Sequence, residues 1–234
     1  LAQVDSSIGG KTAIDHPRAK NMIGAFYPAH HVLVDIAFLH GLPTVQVSAG
    51  WAEVLKHGVI LDADLFDYMV EHADRLLHLS PRQTLHAIRR SLAIKARVVE
   101  QDERESRWRM VLNFGHTIGH ALEATTGYTR YLHGQAVALG MLGAGWIAVE
   151  RDLLSHVDFD RLRGAIVGLG LPAEAPEIDV DAVIEATLRD KKVRGRRVQW
   201  VLPTKIGEVT ITDNIPDGEV EEAVRFLRDG AFRK

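Results

Sequence analysis

The chain has 234 residues, a net charge of −3, 46% hydrophobic and 25% charged side chains, the balance of an ordinary globular protein with enough material for a sizeable core. It holds no long basic run, no apolar stretch near the ~20 residues that cross a bilayer, and no signal peptide, which argues against nucleic acid and membrane as partners. Cysteine is absent, so disulfides and thiolate sites are excluded, any metal must be held by His, Asp or Glu, and a reducing cytoplasm is the expected location.

The first residue is Leu1, directly inside a motif-like segment, so a fragment of a longer protein is expected. Residues 1–35 read as a loop, a glycine turn and a strand at His31–Asp35. From about Val47 to Leu169 the pattern is helical: Phe66, Met69, Val70 and Leu77 fit one helix face, and Leu85, Ile88, Leu92, Ala96 and Val99 fit the next. Ser80-Pro81 marks a helix start. A further helix spans about Phe114 to Thr125 and ends at Gly127, followed by an alanine- and glycine-rich helix over His133–Val149 that suits close packing. Beyond Pro172 come a helix near Asp179–Arg189, β segments at Val198–Leu202 and Glu208–Thr212, and a last helix from Asp217. No G-x-G-x-x-G turn follows a strand, so no dinucleotide-binding unit is visible.

Four segments carry chemistry. In Asn113-Phe-Gly-His116-Thr-Ile-Gly-His120 the two histidines stand four apart and share a helix face; Asn113, Arg109 and Glu105 extend that face backwards as far as the helix persists. Such a stripe is costly in a core-bound segment unless it is paired or binds something, the alternative being a solvated face with two incidental histidines. Glu53 and Lys56 are neighbours on a helix, which is either surface decoration or function. His133 opens a helix, as a cap, a packing group or a ligand. Together Glu53, His116 and His133 offer one carboxylate and two imidazoles from three elements, the donor set of a catalytic Zn²⁺ site with open positions. Gly9-Gly10-Lys11-Thr12 lets backbone approach an anion beside an ammonium, or is a simple turn; it is not a P-loop. Lys95, one of eight lysines against 20 arginines, is either a snorkelling stem or a charge on a site wall.

In order along the chain, Asp5-Ser-Ser-Ile-Gly-Gly-Lys-Thr-Ala-Ile-Asp15, Lys20-Asn-Met-Ile-Gly-Ala-Phe26, Ala52-Glu-Val-Leu-Lys-His-Gly58, Asp102-Glu-Arg-Glu105, Leu112-Asn-Phe-Gly-His-Thr-Ile-Gly-His-Ala-Leu-Glu123 and His133-Gly134 form a set that resembles the 3-dehydroquinate synthase family over essentially the whole chain. The resemblance implies a mainly α fold: the helical metal-binding C-terminal domain of a two-domain α/β + α enzyme, with a short β hairpin near the C-terminus. Residues 1–35 would be the end of the nucleotide-binding region with a substrate loop, and residues 36–234 the helical domain, the N-terminal NAD-binding domain lying outside this chain.

It further implies a homodimeric carbon–oxygen lyase of the shikimate pathway that uses a divalent metal, Zn²⁺ or else Co²⁺, and NAD⁺. The enzyme would cyclise 3-deoxy-D-arabino-heptulosonate 7-phosphate to 3-dehydroquinate with release of phosphate. Metal ligands would be Glu53, His116 and His133. His120 would transfer protons; Lys56, Lys11, Arg109 and Asn113 would act at the reacting centre; Asn21, Lys95 and Lys191 would bind substrate; and Asp5, Lys11 and Lys20 would lie near the cofactor. Departures from the family pattern stand at Gly41, Val45 and Gln46, near the nucleotide, and at Gln135 after His133-Gly134. Alternatives are another sugar-phosphate cyclase, making 2-deoxy-scyllo-inosose or aminodehydroquinate, a metal-dependent polyol dehydrogenase, and a truncated non-catalytic metal-binding module.

Overall fold

The computed structural model describes residues 2–16, 19–102, 108–194 and 198–230; side chains at 15–22 and 189–194 lie outside that description. The architecture is mainly helical, as expected. An antiparallel hairpin, β1 (Lys11–His16) and β2 (Ala19–Phe26), precedes a 3₁₀ helix at Ile36–Gly41. Then come α1 (Thr44–Leu61), α2 (Ala63–Glu71), α3 (Ala73–Leu77), α4 (Pro81–Gln101), a second 3₁₀ helix at Trp108–Asn113, α5 (His116–Thr125), α6 (His133–Glu150), α7 (His156–Gly168) and α8 (Val180–Arg194). The hairpin of β3 (Trp200–Lys205) and β4 (Glu208–Thr212) and the helix α9 (Asp217–Asp229) complete it. Among the described residues no helix is long and apolar enough to cross a membrane.

The core forms around α1 and α6, both buried along nearly their whole length. Glycine and alanine make this possible, because a helix without bulky side chains lets a neighbour's backbone come close. A Cβ on Gly134 would stand 1.8 Å from the Ala49 carbonyl oxygen of α1, and one on Gly140 would stand 1.8 Å from the Gly115 carbonyl oxygen at the head of α5. The glycines of α6 therefore set how near α1 and α5 lie to it.

Several expectations need correction. His31–Asp35 forms no strand and pairs with none among the described residues, and Leu33 is 98% exposed. Apolar residues make a strand only where a neighbour takes up the backbone hydrogen bonds. Asp35 instead caps the first 3₁₀ helix, its Oδ1 accepting from Ala37 N at 2.8 Å. The β1–β2 hairpin escaped notice because its residues are largely polar or small and exposed where described, which leaves no alternation to read.

The helix face containing Phe66, Met69, Val70 and Leu77 is broken at His72 into α2 and α3; Phe66 and Met69 are buried, whereas Val70 is exposed. On α4, which starts at Ser80-Pro81 as expected, the inward face is Thr84, Ala87, Ile88, Ser91, Ile94, Lys95 and Val98, and Leu85 is exposed. Polar residues turn inward there because partners wait for them: His57 Nδ1 lies 2.7 Å from Ser91 Oγ, and Lys95 meets Asp5. Helix α8 runs to Arg194, beyond the expected end at Arg189.

Helical glycines provide a paired test. Gly140→Ala places a methyl against backbone and is expected to lower stability by ~1–3 kcal/mol or more. Gly164→Ala, at an exposed position of α7 with nothing within 4 Å of its Cβ, should raise it by roughly 0.5–1 kcal/mol. Urea unfolding of both variants checks the opposite signs; a neutral Gly140→Ala would contradict the close α5–α6 approach.

Candidate metal centre

Helix α1 carries Glu53, fully buried, in the middle of its length. A buried carboxylate is expensive unless positive charge or donors meet it. One turn on, the Lys56 ammonium, itself 1% exposed, pairs with Glu53 Oε2. The other oxygen, Oε1, accepts no hydrogen bond, yet His133 Nε2 lies 3.3 Å and His116 Nε2 3.7 Å from it. Burial opposes ionisation of Glu53, but Lys56, His116 and His133 outweigh it and hold the carboxyl well below its usual range.

The protonation of both imidazoles follows from the groups at their second nitrogens. His116 Nδ1 lies 3.1 Å from the Phe114 carbonyl oxygen, which can only accept, so Nδ1 carries the proton and the Nε2 lone pair faces Glu53. Burial and the Lys56 ammonium push the His116 pKa down to about 4, so it is neutral at physiological pH. His133 Nδ1 lies 3.2 Å from Glu123 Oε2 and donates to it. Burial lowers the His133 pKa, but the Glu123 and Glu53 carboxylates more than reverse this and raise it to about 9.

One carboxylate oxygen and two imidazole nitrogens within 4.8 Å of one another fit a divalent ion. Donors at about 2.0–2.2 Å on a tetrahedral ion stand roughly 3.3–3.6 Å apart, close to the 3.3 and 3.7 Å observed. The carboxylate–histidine arrangement of Glu123 and His133 is the kind that orients a metal-bound imidazole. Glu123 was missed as a site residue. Its signal was present, since residues 116, 120 and 123 lie on one face of α5.

The expected polar stripe from Glu105 to His120 does not lie on one helix. Trp108–Asn113 is 3₁₀, and the chain breaks at Gly115, whose φ of +78° starts α5 afresh at His116. Glu105 lies outside the described residues. Arg109 is buried and donates from a guanidinium nitrogen to the Gly9 carbonyl oxygen at 3.1 Å and from its backbone N to Asp102 Oδ2 at 3.0 Å. Asn113 is exposed at the end of its 3₁₀ helix.

His120 is exposed, with its ring centroid 5.2 Å from that of His116 and 6.0 Å from that of His133. Lys95 is buried, not snorkelling: Nζ donates to Asp5 Oδ1 at 2.5 Å and also pairs with the Asp5 carbonyl. Burial and Glu53 oppose ionisation of Asp5, but Lys56 and Lys95 lower its pKa; burial lowers that of Lys95 against the pull of Asp5. Lys11 is exposed at the first position of β1. Lys20 and Asn21 lie on β2 and Lys191 on α8, with side chains outside the described portion.

A family model described as 3-dehydroquinate synthase C-terminal matches residues 50–193, and one described as 3-dehydroquinate synthase N-terminal matches residues 1–49. The chain belongs to the 3-dehydroquinate synthase family. It is 45% identical over 230 residues to the 3-dehydroquinate synthase of Nostoc punctiforme, covering 97% of this chain and 63% of that protein. With the 3-dehydroquinate synthase of a Geobacter species it shares 48% identity over 207 residues, 88% of this chain and 57% of the relative. The chain thus spans about three-fifths of the length of these relatives.

Among solved structures it superposes, with a TM-score of 0.90 and 27% identity, on 2-epi-5-epi-valiolone synthase from Streptomyces hygroscopicus with NAD⁺ and Zn²⁺ bound, covering 98% of this chain and 64% of that one. It also matches 2-deoxy-scyllo-inosose synthase complexed with carbaglucose-6-phosphate, NAD⁺ and Co²⁺, at a TM-score of 0.85 and 26% identity over 96% of this chain and 64% of that one.

In the metal-free chain His133 keeps its proton up to about pH 9, so ion binding at pH 7.5 should expel about one proton. Calorimetric titration with Zn²⁺ in buffers of different ionisation enthalpy measures this; no buffer dependence would contradict the raised pKa. The same shift stabilises the metal-free fold fully below ~6.5 and is lost as pH rises through about 9, which melting of the metal-free chain across that window reads out. Glu123→Gln should weaken Zn²⁺ binding roughly 10–100-fold.

Proposed function

We propose that this chain is the metal- and substrate-binding part of a 3-dehydroquinate synthase, which converts 3-deoxy-D-arabino-heptulosonate 7-phosphate to 3-dehydroquinate and phosphate in aromatic amino acid biosynthesis. The observation that carries the reading is Glu53 Oε1, buried without a hydrogen bond and faced by the Nε2 atoms of His133 and His116. Relatives at 45–48% identity are 3-dehydroquinate synthases, which supports this product over those of the solved structures at 26–27% identity.

Glu53, His116 and His133 would hold the divalent ion, Zn²⁺ or Co²⁺. When bound, the ion supplies Lewis acidity toward adjacent substrate hydroxyls and NAD⁺ supplies a hydride acceptor. Lys56 keeps Glu53 ionised for the ion. Lys95 is held by Asp5 in the resting chain, so an incoming substrate anion can exchange for the Asp5 carboxylate without burying a bare ammonium. Arg109, Lys11, Asn113, Asn21 and Lys191 would complete the grip on phosphate, carboxylate and hydroxyls, as planar and point cations suit these groups. His120, exposed beside the ligand rings, would move protons at a ring nitrogen. Asp5, Lys11 and Lys20 would border the nicotinamide nucleotide.

Residues 1–35 would close the nucleotide-binding region and residues 36–234 form the helical domain, with the larger part of the NAD⁺ site in the portion of the relatives this chain does not span. The assembly would be a cytoplasmic homodimer. A second reading, a cyclase making another carbocycle, is favoured by the structural match to 2-deoxy-scyllo-inosose synthase.

The test joins this chain to the N-terminal part of the Geobacter relative and supplies 3-deoxy-D-arabino-heptulosonate 7-phosphate with NAD⁺ and Zn²⁺. Phosphate release without net NADH, yielding 3-dehydroquinate, is expected, and His120→Ala should lower kcat by roughly 10²–10⁴-fold. NADH accumulation would point to a polyol dehydrogenase, and another carbocycle to the second reading. The unfused chain should bind Zn²⁺ without turnover; robust phosphate release by it would overturn that part.

A further inference from the structure

His133 has two ring nitrogens and faces a carboxylate with each: Glu53 Oε1 at 3.3 Å from Nε2, and Glu123 Oε2 at 3.2 Å from Nδ1. Behind Nδ1 lies a second donor group. His120, Glu123 and His133 also present ligand atoms that all lie within 4.8 Å of one another. His120 and Glu123 are three apart on α5, so one helix turn offers both, and the His120 and His133 rings stack at 6.0 Å with 29° between planes. The inner set has a fully buried carboxylate; the outer set opens to solvent through exposed His120.

We propose that His120, Glu123 and His133 form an outer divalent-cation site through which the ion reaches Glu53, His116 and His133. This rests on the inner set being the metal centre. A neutral imidazole carries one proton and one lone pair, so His133 serves one ion at a time. With the ion outside, Nδ1 binds it and Nε2–H faces Glu53 Oε1. With the ion inside, Nε2 binds it and Nδ1–H donates to Glu123. Each position leaves the other carboxylate a proton to accept, so transfer of the ion needs only a change of tautomer. No bond to carbon changes and no electron moves.

The experiment measures Zn²⁺ and Co²⁺ stoichiometry by elemental analysis after dialysis, and affinity by chelator competition, on this chain and its variants. His116→Ala cripples the inner set; it should keep about one weakly bound ion, and His116→Ala/His120→Ala should lose it, with at least a tenfold fall in affinity between the two. His120→Ala alone should keep tight binding while its Co²⁺ uptake, followed by visible absorbance, slows at least severalfold. Glu53→Gln, a milder inner lesion, repeats the comparison should His116→Ala not fold, with melting curves reporting the fold throughout. Equal binding by the single and double variants, or unchanged uptake in His120→Ala, would overturn the outer site. Failure of the unaltered chain to bind either metal would instead sink the inner centre.

Discussion

A carboxylate sealed from water must be met by positive charge, and much of this molecule is arranged around meeting Glu53. It sits near the midpoint of α1, a helix buried along nearly its whole length, where an unmatched charge would cost several kcal/mol. Lys56 answers one oxygen from the next turn of the same helix, and two imidazoles converge on the other from α5 and α6. Local spacing alone could supply Lys56. The imidazoles require that α5 and α6 approach α1 at a set distance, and glycine is the device that sets it. Gly134, next to His133, lies against the Ala49 carbonyl, one helical turn before Glu53, which carries the His133 ring over the carboxylate.

The cations around the centre are each provided with an internal partner. Lys56 has Glu53, Lys95 has Asp5, and Arg109 has the Gly9 carbonyl. Such pairing lets ammonium and guanidinium groups stay buried before any ligand arrives, and it ties the loop around residues 5–9 to α4 and to the second 3₁₀ helix. A ligand that brings its own negative charge replaces an existing partner and adds no bare charge to the interior. Lys95 and Asp5 are thus electrostatically coupled to Lys56 and Glu53 of the candidate metal centre. Glu53, His116 and His133 all lie in the segment matched by the C-terminal family model.

Where local rules failed, the cause was a partner supplied by distant chain. On α4 the apolar stripe read from periodicity pointed Leu85 inward, whereas Ser91 and Lys95 are buried because His57 and Asp5 meet them. The same reasoning explains His57, fully buried with its pKa pushed down to about 3 by burial and the neighbouring Lys56, and unremarkable in sequence. A His31–Asp35 strand without a neighbouring strand shows the converse: a pattern suited to a sheet, with no ladder to join among the described residues.

Read alone, the chain of residues was enough to give a helical protein, most helix positions and the late hairpin, and to point to Glu53, His116 and His133 as candidate donors only through the ordered motifs of a family resemblance. The helices and the hairpin depend on composition and on spacing within one element, which a sequence displays directly. Tertiary structure decided the tautomer of His116, the meeting of His133 with Glu123, the burial of Lys95 on Asp5, and the break at Gly115 that parts Arg109 and Asn113 from the helix bearing His116. Each of these turns on groups far apart in the chain, or on a left-handed backbone angle, and spacing carries no information about either.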